Sequence, residues 1–466
     1  MKKKGIFAYD FFDDLSKLNE TMLPPQEVFK DTLNDKDCSN EEYKHAELVW
    51  KTFQCKTFRE YHDLYLKSDV LLLTDFFEKF RETCLESYGL DAAHYYSTPG
   101  MAWSCAMKLT DTRLELLDNE EMYTFFERSI RGGISQVSKR HVRANNKCCK
   151  TYNYDPEKPT TFLVYLDANN LYGFALSQKL PTGDFIWYPE NQFEKWTEKD
   201  ILDFDTDGEF GEILEVDIHI PSELHDCFND YPPAPERLEI DDSMWSPFQK
   251  ECFPDYKKKP TVKLSPNLMD KTKYVVHMRN LQFYIRHGCK VTKIHRVLSF
   301  KQSNWLKKDI DFNTDMRTKS KSKFEKDFYK LMNNSVFGKT QENLRNRMNV
   351  EIITNRKIAL KRACKPSMKR SETIHENLVV METAVTNLVL NKPIYIGFCV
   401  LELSKLLMYQ FHYEKIINWF EKVTLCYTDT DSFLYEIQSE DIKYFWNIKM
   451  NLTFPNIHSN IRVMIQ

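Results

Sequence analysis

Two carboxylates one residue apart, Asp429 and Asp431, lie in the stretch Lys422-Val-Thr-Leu-Cys-Tyr-Thr-Asp-Thr-Asp-Ser-Phe-Leu-Tyr435. Apolar residues alternate at Val423, Leu425 and Tyr427, then at Phe433 and Tyr435, so the flanks read as two strands with Asp-Thr-Asp at a tight turn. Two negative charges on one hairpin tip raise the proton affinity of one of them unless a cation compensates. Oxygen ligands suit Mg²⁺, which is commonly held by one or two carboxylates together with substrate phosphates. A solvated, Asp-rich turn accounts for these residues equally well, and the rest of the chain has to decide.

A third carboxylate, Asp167, closes the strand-like run Thr161-Phe-Leu-Val-Tyr-Leu166 and precedes Ala-Asn-Asn-Leu-Tyr172-Gly173. An acid at the C-terminal end of a buried strand can present a metal ligand over a sheet edge, or merely cap the strand. Cationic partners come from a helical pattern further on. At about 100° per residue, Lys326, Lys330, Asn334 and Phe337 share a stripe about 80° wide, while Phe324, Phe328, Leu331 and Ser335 gather opposite. Gly338 ends the pattern. Such lysines could neutralise a triphosphate and the aromatic could stack on a base, although a solvated basic face has the same composition.

At 466 residues the chain is long enough for two or three domains, and 42% hydrophobic content can fill their cores. The net charge of -3 hides segregation: Glu190 to Asp242 holds 18 acidic and 3 basic residues, whereas Lys307 to Arg370 holds 18 basic and 7 acidic. One segment repels polyanions and the other attracts them. Twelve cysteines without a CxxC pair argue against a zinc finger and fit a reducing, intracellular setting. No apolar core of signal-peptide length opens the chain, and runs such as Pro393 to Leu401 fall short of the ~20 residues that span a bilayer. The expectation is a soluble protein with no membrane partner.

Along the chain, the first ninety residues are acid-rich and helical in pattern, with Tyr65 and Asp69 four apart on one helical face. Ile130-Arg131-Gly132-Gly133-Ile134-Ser135 breaks the next helical run, and its glycines permit a tight turn or a close backbone approach. Tyr231-Pro-Pro-Ala-Pro235 marks a loop, Lys273 to Phe300 reads as strand, and Asn387 to Met408 as strand then helix.

Taken in order, Asp167-x-x-Asn-Leu-Tyr172-Gly, Lys330-x-x-x-Asn334-Ser-x-Phe337-Gly338 and Tyr427-x-Asp429-Thr-Asp431-Ser432 resemble motifs A, B and C of family B DNA polymerases. The likeness is to the organellar and viral, protein-primed branch, including polymerases of virus-like self-synthesising transposons. Tyr65-x-x-x-Asp69 resembles the third motif of its 3′-5′ exonuclease. Arg131-Gly132-Gly133 resembles the linker motif that follows the template strand, with Ile130 where the family has an aromatic. Phe337 replaces a usual tyrosine, Asn170 a usual serine and Gly173 a usual proline.

The resemblance implies an α+β fold: a right-hand polymerase palm and fingers preceded by the C-terminal remnant of a ribonuclease-H-like exonuclease domain. It implies an exonuclease part over 1–90, a linker over 91–160, palm with motif A over 161–185, an acidic insertion and palm over 186–300, fingers over 301–345, a basic insertion over 346–390, and palm with motif C over 391–466. Asp167 and Asp431 would bridge two Mg²⁺ ions, with Asp429 auxiliary. Tyr172, Lys326, Lys330, Asn334, Phe337 and Gly338 would hold the nucleotide, and Arg131, Gly132, Gly133 and Tyr427 the DNA. Implied partners are primer–template DNA, deoxynucleoside triphosphates and, where a protein hydroxyl primes synthesis, a terminal protein. The upstream exonuclease acids and a thumb beyond motif C are missing from these residues, so a chain truncated at both ends is expected. A catalytically silent DNA-binding remnant is the alternative. A haloacid-dehalogenase-like phosphatase fits poorly, because its motif wants Thr or Val where Phe433 stands.

Overall fold

The computed structural model describes residues 5–148, 154–254, 261–440 and 461–465. It divides into two units, Met1–Met101 and Ala102–Gln466. In the first, helix α1 (Asn40–Thr52) starts at a capping box in which Ser39 and Glu42 satisfy each other's backbone donors. Helix α2 (Phe58–Tyr88) runs 31 residues and stops where Gly89 turns left-handed at φ 64. Phe7, Phe29, Phe58 and Tyr61 form the core of this unit.

The second unit is built around a five-stranded antiparallel sheet in the order β1-β12-β13-β2-β14: β1 is Ser135–Val137, β2 Thr161–Ala168, β12 Lys422–Asp429, β13 Ser432–Gln438 and β14 Ile461–Ile465. Alternation decides its faces. Phe162, Val164 and Leu166 of β2 are buried, as are Phe433, Tyr435 and Ile437 of β13, while Leu163, Tyr165 and Asp167 stay half-exposed on the other side. A four-stranded sheet follows in the order β3-β8-β4-β7, from β3 (Leu180–Trp187), β4 (Phe210–His219), β7 (Lys271–His277) and β8 (Lys290–Ser303). Strands β5 (Glu236–Ile240) and β6 (Thr261–Ser265) pair separately. Helix α3 (Leu171–Leu176) follows β2, and α4 (Met278–Arg286) interrupts the stretch expected to be strand throughout Lys273 to Phe300. Helices α5 (Lys307–Lys319) and α6 (Lys323–Thr340) pack on each other, and α6 opens with a Ser322/Glu325 capping box. Strands β9 (Met348–Ile353), β10 (Met368–His375) and β11 (Leu378–Ala384) with helix α7 (Arg356–Ala363) enclose a small core of Ile353, Ala359 and Met381.

Helix α8 (Ile394–Gln410) begins at Pro393 and continues through a π-helical turn at Phe411–Ile416; no strand precedes it over 387–393. With the residues to Trp419 it is long and apolar enough to cross a bilayer by length and composition, yet it is buried within the protein. The aromatic rings beyond it lie against the sheet's apolar face: Phe411 stacks on Phe433 at 6.2 Å, and His412 Nδ1 lies 3.0 Å from the Tyr435 hydroxyl. The proline-rich loop at Tyr231 is no surface feature, since Tyr409 and Tyr413 donate hydrogen bonds to the carbonyls of Pro232 and Tyr231.

Inside α8 sits a buried charge cluster. Glu402, 1% exposed, lies 3.6 Å from the Arg131 guanidinium and 3.3 Å from Lys405 Nζ, and Lys405 donates to the Arg131 carbonyl at 2.9 Å. Burial pulls the Lys405 ammonium down to about 8 against the attraction of Glu402. Removing one member of such a set leaves the others as uncompensated buried charge. Glu402→Ala should therefore destabilise this unit by about 3–5 kcal/mol, read as a drop in the urea midpoint; an unchanged midpoint would show that the cluster holds nothing together.

Candidate active site

The β12–β13 turn is fixed from both sides. Asp429 pairs with Ser432 across it, and Thr430 takes a left-handed φ of 56. The Thr430 N–H donates to the Ile134 carbonyl at 2.8 Å, and the Ala168 N–H donates to the Asp431 carbonyl at 2.7 Å. Ser432 in turn pairs with Asp167 on β2. Directly opposed residues share a face, so Asp429, Ser432 and Asp167 line the same open side of the sheet as Tyr165 and Tyr427.

Asp431 holds its proton more tightly than an ordinary carboxylate, first because of burial, then because of Asp167 and Asp429; Lys330 acts in the opposite direction. Among the described residues neither Asp167 nor Asp431 forms an ion pair. Asp429 instead accepts a hydrogen bond from the Tyr427 hydroxyl at 3.2 Å. Among the described residues no three His, Cys, Asp or Glu side chains close into a metal-binding group. Two neighbouring carboxylates without an ion pair among the described residues fit a cation such as Mg²⁺ that keeps positions for water and phosphate oxygens.

The basic face of α6 is where the periodicity put it: Lys326, Lys330, Asn334 and Gly338 are exposed and Phe337 is half-buried. Its core face is turned by roughly a quarter turn from the expected stripe. Tyr329, Met332 and Val336 are buried with Phe328 and Ser335, while Phe324 and Leu331 are exposed. Gly338 does not end the helix, which runs on to Thr340. The Phe337 ring stacks on Tyr172 with centroids 4.4 Å apart and planes 15° apart. Burial, with Asp431 nearby, raises the proton affinity of the Tyr172 phenol. Behind Tyr172, Asn170 takes φ 60, and a Cβ on Gly173 would stand 2.0 Å from the Asn170 side-chain amide nitrogen, so the asparagine side chain packs directly on the glycine.

The Gly-Gly segment behaves differently from its arginine. Arg131 was expected to face DNA, but it points inward. It is 7% exposed, donates to the Val275 carbonyl and lies 3.8 Å over the Tyr274 ring. Gly132 is exposed, with open space where a Cβ would go, whereas a Cβ on Gly133 would come within 2.4 Å of Thr430 Oγ1 and 2.8 Å of its Cβ. The chain thus brings Gly133 against the tip of the Asp-Thr-Asp hairpin. Nothing in the spacing of the two stretches announced that contact. In the first unit, Tyr65 of α2 stacks on Phe7 at 5.2 Å and meets the Tyr9 hydroxyl at 2.7 Å, and Asp69 is one helical turn further on.

The sheet thus carries acids at its open end, with a basic helix and an aromatic pair beside them. The profile of the family "DNA polymerase type B, organellar and viral" matches residues 1–416, and the chain belongs to that family. A search of curated proteins finds no match. Among solved structures, Phi29 DNA polymerase in an orthorhombic crystal form is 16% identical with a TM-score of 0.45, over 94% of this chain and 60% of that one. The Phi29 polymerase complex with primer–template DNA and incoming nucleotides is likewise 16% identical with a TM-score of 0.45, over 99% and 63%. This chain therefore spans about three-fifths of the length of those structures.

Because the Asp431 pKa is raised, its charge works against folding at every pH above the ordinary carboxylate range and does so fully above the shifted value. In metal-free buffer at neutral pH, Asp431→Asn should thus raise the thermal midpoint. Added Mg²⁺ should raise the midpoint of the unaltered protein but not that of the variant. A midpoint indifferent to Mg²⁺ in both would remove the site from consideration.

Proposed function

We propose that this chain is a DNA-directed DNA polymerase that adds deoxynucleoside triphosphates to a primer under template direction, in the replication of a virus-like or transposon DNA. The observation that carries the reading is the convergence of Asp167, Asp431 and Lys330 beside the Tyr172–Phe337 stack. Palm would comprise 161–185, part of 186–300 and 391–466, fingers 301–345, and the basic insertion 346–390; 1–90 would be exonuclease-derived, with Tyr65 and Asp69 its remnant.

Asp167 and Asp431 would hold two Mg²⁺ ions, with Asp429 auxiliary, and the bound ions would activate the primer 3′-hydroxyl and stabilise the leaving pyrophosphate. Phosphoryl transfer asks the protein mainly for positioning and charge neutralisation. Lys330, and Lys326 one turn before it, would neutralise the triphosphate oxygens, which spread charge in the transition state. Asn334 and Phe337 would pack on the nascent base pair, with Gly338 leaving room beside them. Tyr172 would occupy the space of a ribose 2′-hydroxyl. Gly132, Gly133 and Tyr427 would border the DNA, and Arg131 would act on it only by holding the Gly-Gly backbone. Family membership and the site chemistry support primer–template DNA and deoxynucleoside triphosphates as partners; a terminal protein would serve where a protein hydroxyl primes synthesis.

Primer extension by the purified chain tests this directly. Asp431→Asn should abolish incorporation while retaining DNA binding; full activity in that variant, or none in the unaltered protein, overturns the reading, and the second result favours a silent DNA-binding protein. Gly133→Ala should slow incorporation at least about tenfold, since a Cβ there displaces the hairpin, while Gly132→Ala, which meets nothing, should cost far less. Equal effects would remove the Gly133–Thr430 contact from the mechanism.

A further inference from the structure

A cavity of about 680 Å³, within the size range of small-molecule sites, lies on the four-stranded sheet and is lined by residues other than those of the aspartate hairpin and α6. Val275, Glu215 and Arg296 stand side by side across β7, β4 and β8 and share one face of the sheet. A helix over Glu120–Ser129 adds Glu120, Thr124 and Arg128, four residues apart and therefore on one helical face. Arg237 comes from β5. A β-bulge supplies the rest: Tyr274 pairs with Val216 but Lys271 with Ile218, so Thr272 and Lys273 both reach the cavity where regular alternation would send them to opposite faces. Lys273 takes a left-handed φ of 50; its N–H donates to Asp217 Oδ1 at 2.7 Å, and His295 Nε2 lies 2.8 Å from the same oxygen. Such backbone strain persists where the surroundings enforce it, and it concentrates at ligand sites.

We propose that this cavity binds a small phosphorylated anion, a phosphomonoester or pyrophosphate, through Arg128, Arg237 and Lys273. The inference goes beyond the polymerase reading and does not depend on it. Three wall carboxylates are already engaged: Glu121 and Glu215 by Arg296 at 3.0 and 2.9 Å, and Glu236 by Lys271 at 2.7 Å. Arg128, Arg237 and Lys273 are exposed and, among the described residues, form no ion pair; the same holds for the fourth carboxylate, Glu120. Three cations against one acid leave two positive charges, which match a phosphate group carrying about −1.5 to −2 at neutral pH. Arg131, 7% exposed, also lines the cavity, and among the described residues its Nε has no hydrogen-bond partner. Guanidinium groups donate in a fork that fits phosphate oxygens. The rings in the wall are partly covered, since Arg131 lies 3.8 Å over Tyr274 and Arg296 5.0 Å over Phe125. Charge, more than base stacking, would do the recognising.

The test is isothermal titration calorimetry of the full chain with inorganic pyrophosphate, in buffer containing a chelator so that no divalent cation bridges the ligand to the aspartates. The unaltered protein should bind with a Kd below about 1 mM. Arg128→Ala/Arg237→Ala should weaken binding at least about tenfold and Lys273→Gln about threefold. Thermal midpoints without ligand show whether the variants fold; if the double variant does not, Lys273→Gln carries the test. Lys326→Ala/Lys330→Ala removes the same charge from α6 and should leave the affinity unaltered. Deoxyadenosine monophosphate separates the two sources: tighter binding than pyrophosphate shows that a nucleoside is recognised, weaker binding that the phosphates alone are. Absence of binding by the unaltered protein, or binding lost in the α6 variant and kept in the folded cavity variants, overturns the proposal. Neither result bears on primer extension through Asp431, by which the polymerase reading is judged.

Discussion

The buried carboxylate of Glu402 is the constraint on which the rest of the second unit turns. It sits in a helix whose other residues from Ile394 to Tyr409 are buried too, and it is tolerated there because the Arg131 and Lys405 cations approach it. The cluster also fixes a distant strand of chain. Lys405 grips the Arg131 carbonyl, the next two residues are glycines, and the second lies against Thr430. The helix under the sheet and the acids above it are thereby linked through one short segment.

That link explains why the arginine of the Gly-Gly motif was misjudged from sequence. An exposed loop with a basic residue reads as a phosphate contact. Only the pairing of Arg131 with an acid 271 positions later reverses the reading, and no local pattern reports such a pairing. By contrast, the Asp-Thr-Asp hairpin and the strand ending at Asp167 were legible, because alternation of buried and open residues is a local property that the pleat enforces. The basic stripe of α6 was legible for the same reason, at a period of 3.6.

Its core face was not, because Phe324 and Leu331 are apolar but lie outside the packed interface, while the polar Asn333 is buried within it. Hydrophobic counting cannot tell which of two adjacent stripes a neighbour covers. The stretch before α8 failed differently: an apolar run holding Pro393 and Gly397 suggested a change of element, whereas Pro393 only starts the helix and Gly397 lies inside it, where a Cβ would come within 2.3 Å of Gln341. The glycine records close packing against a neighbour and not a turn.

The face-to-face contact of Tyr172 and Phe337 has a further consequence. Each ring already covers the other, so each is the other's resident guest, and a flat molecule that slides between them competes with an internal rival. Such ring pairs are worth about 0.5–1.5 kcal/mol beyond the area they bury, which would lower the apparent affinity of an intercalating guest by roughly two- to tenfold against a cleft propped open. The same rivalry favours prompt re-closure after departure. A guest that stacks poorly would forfeit most in this exchange.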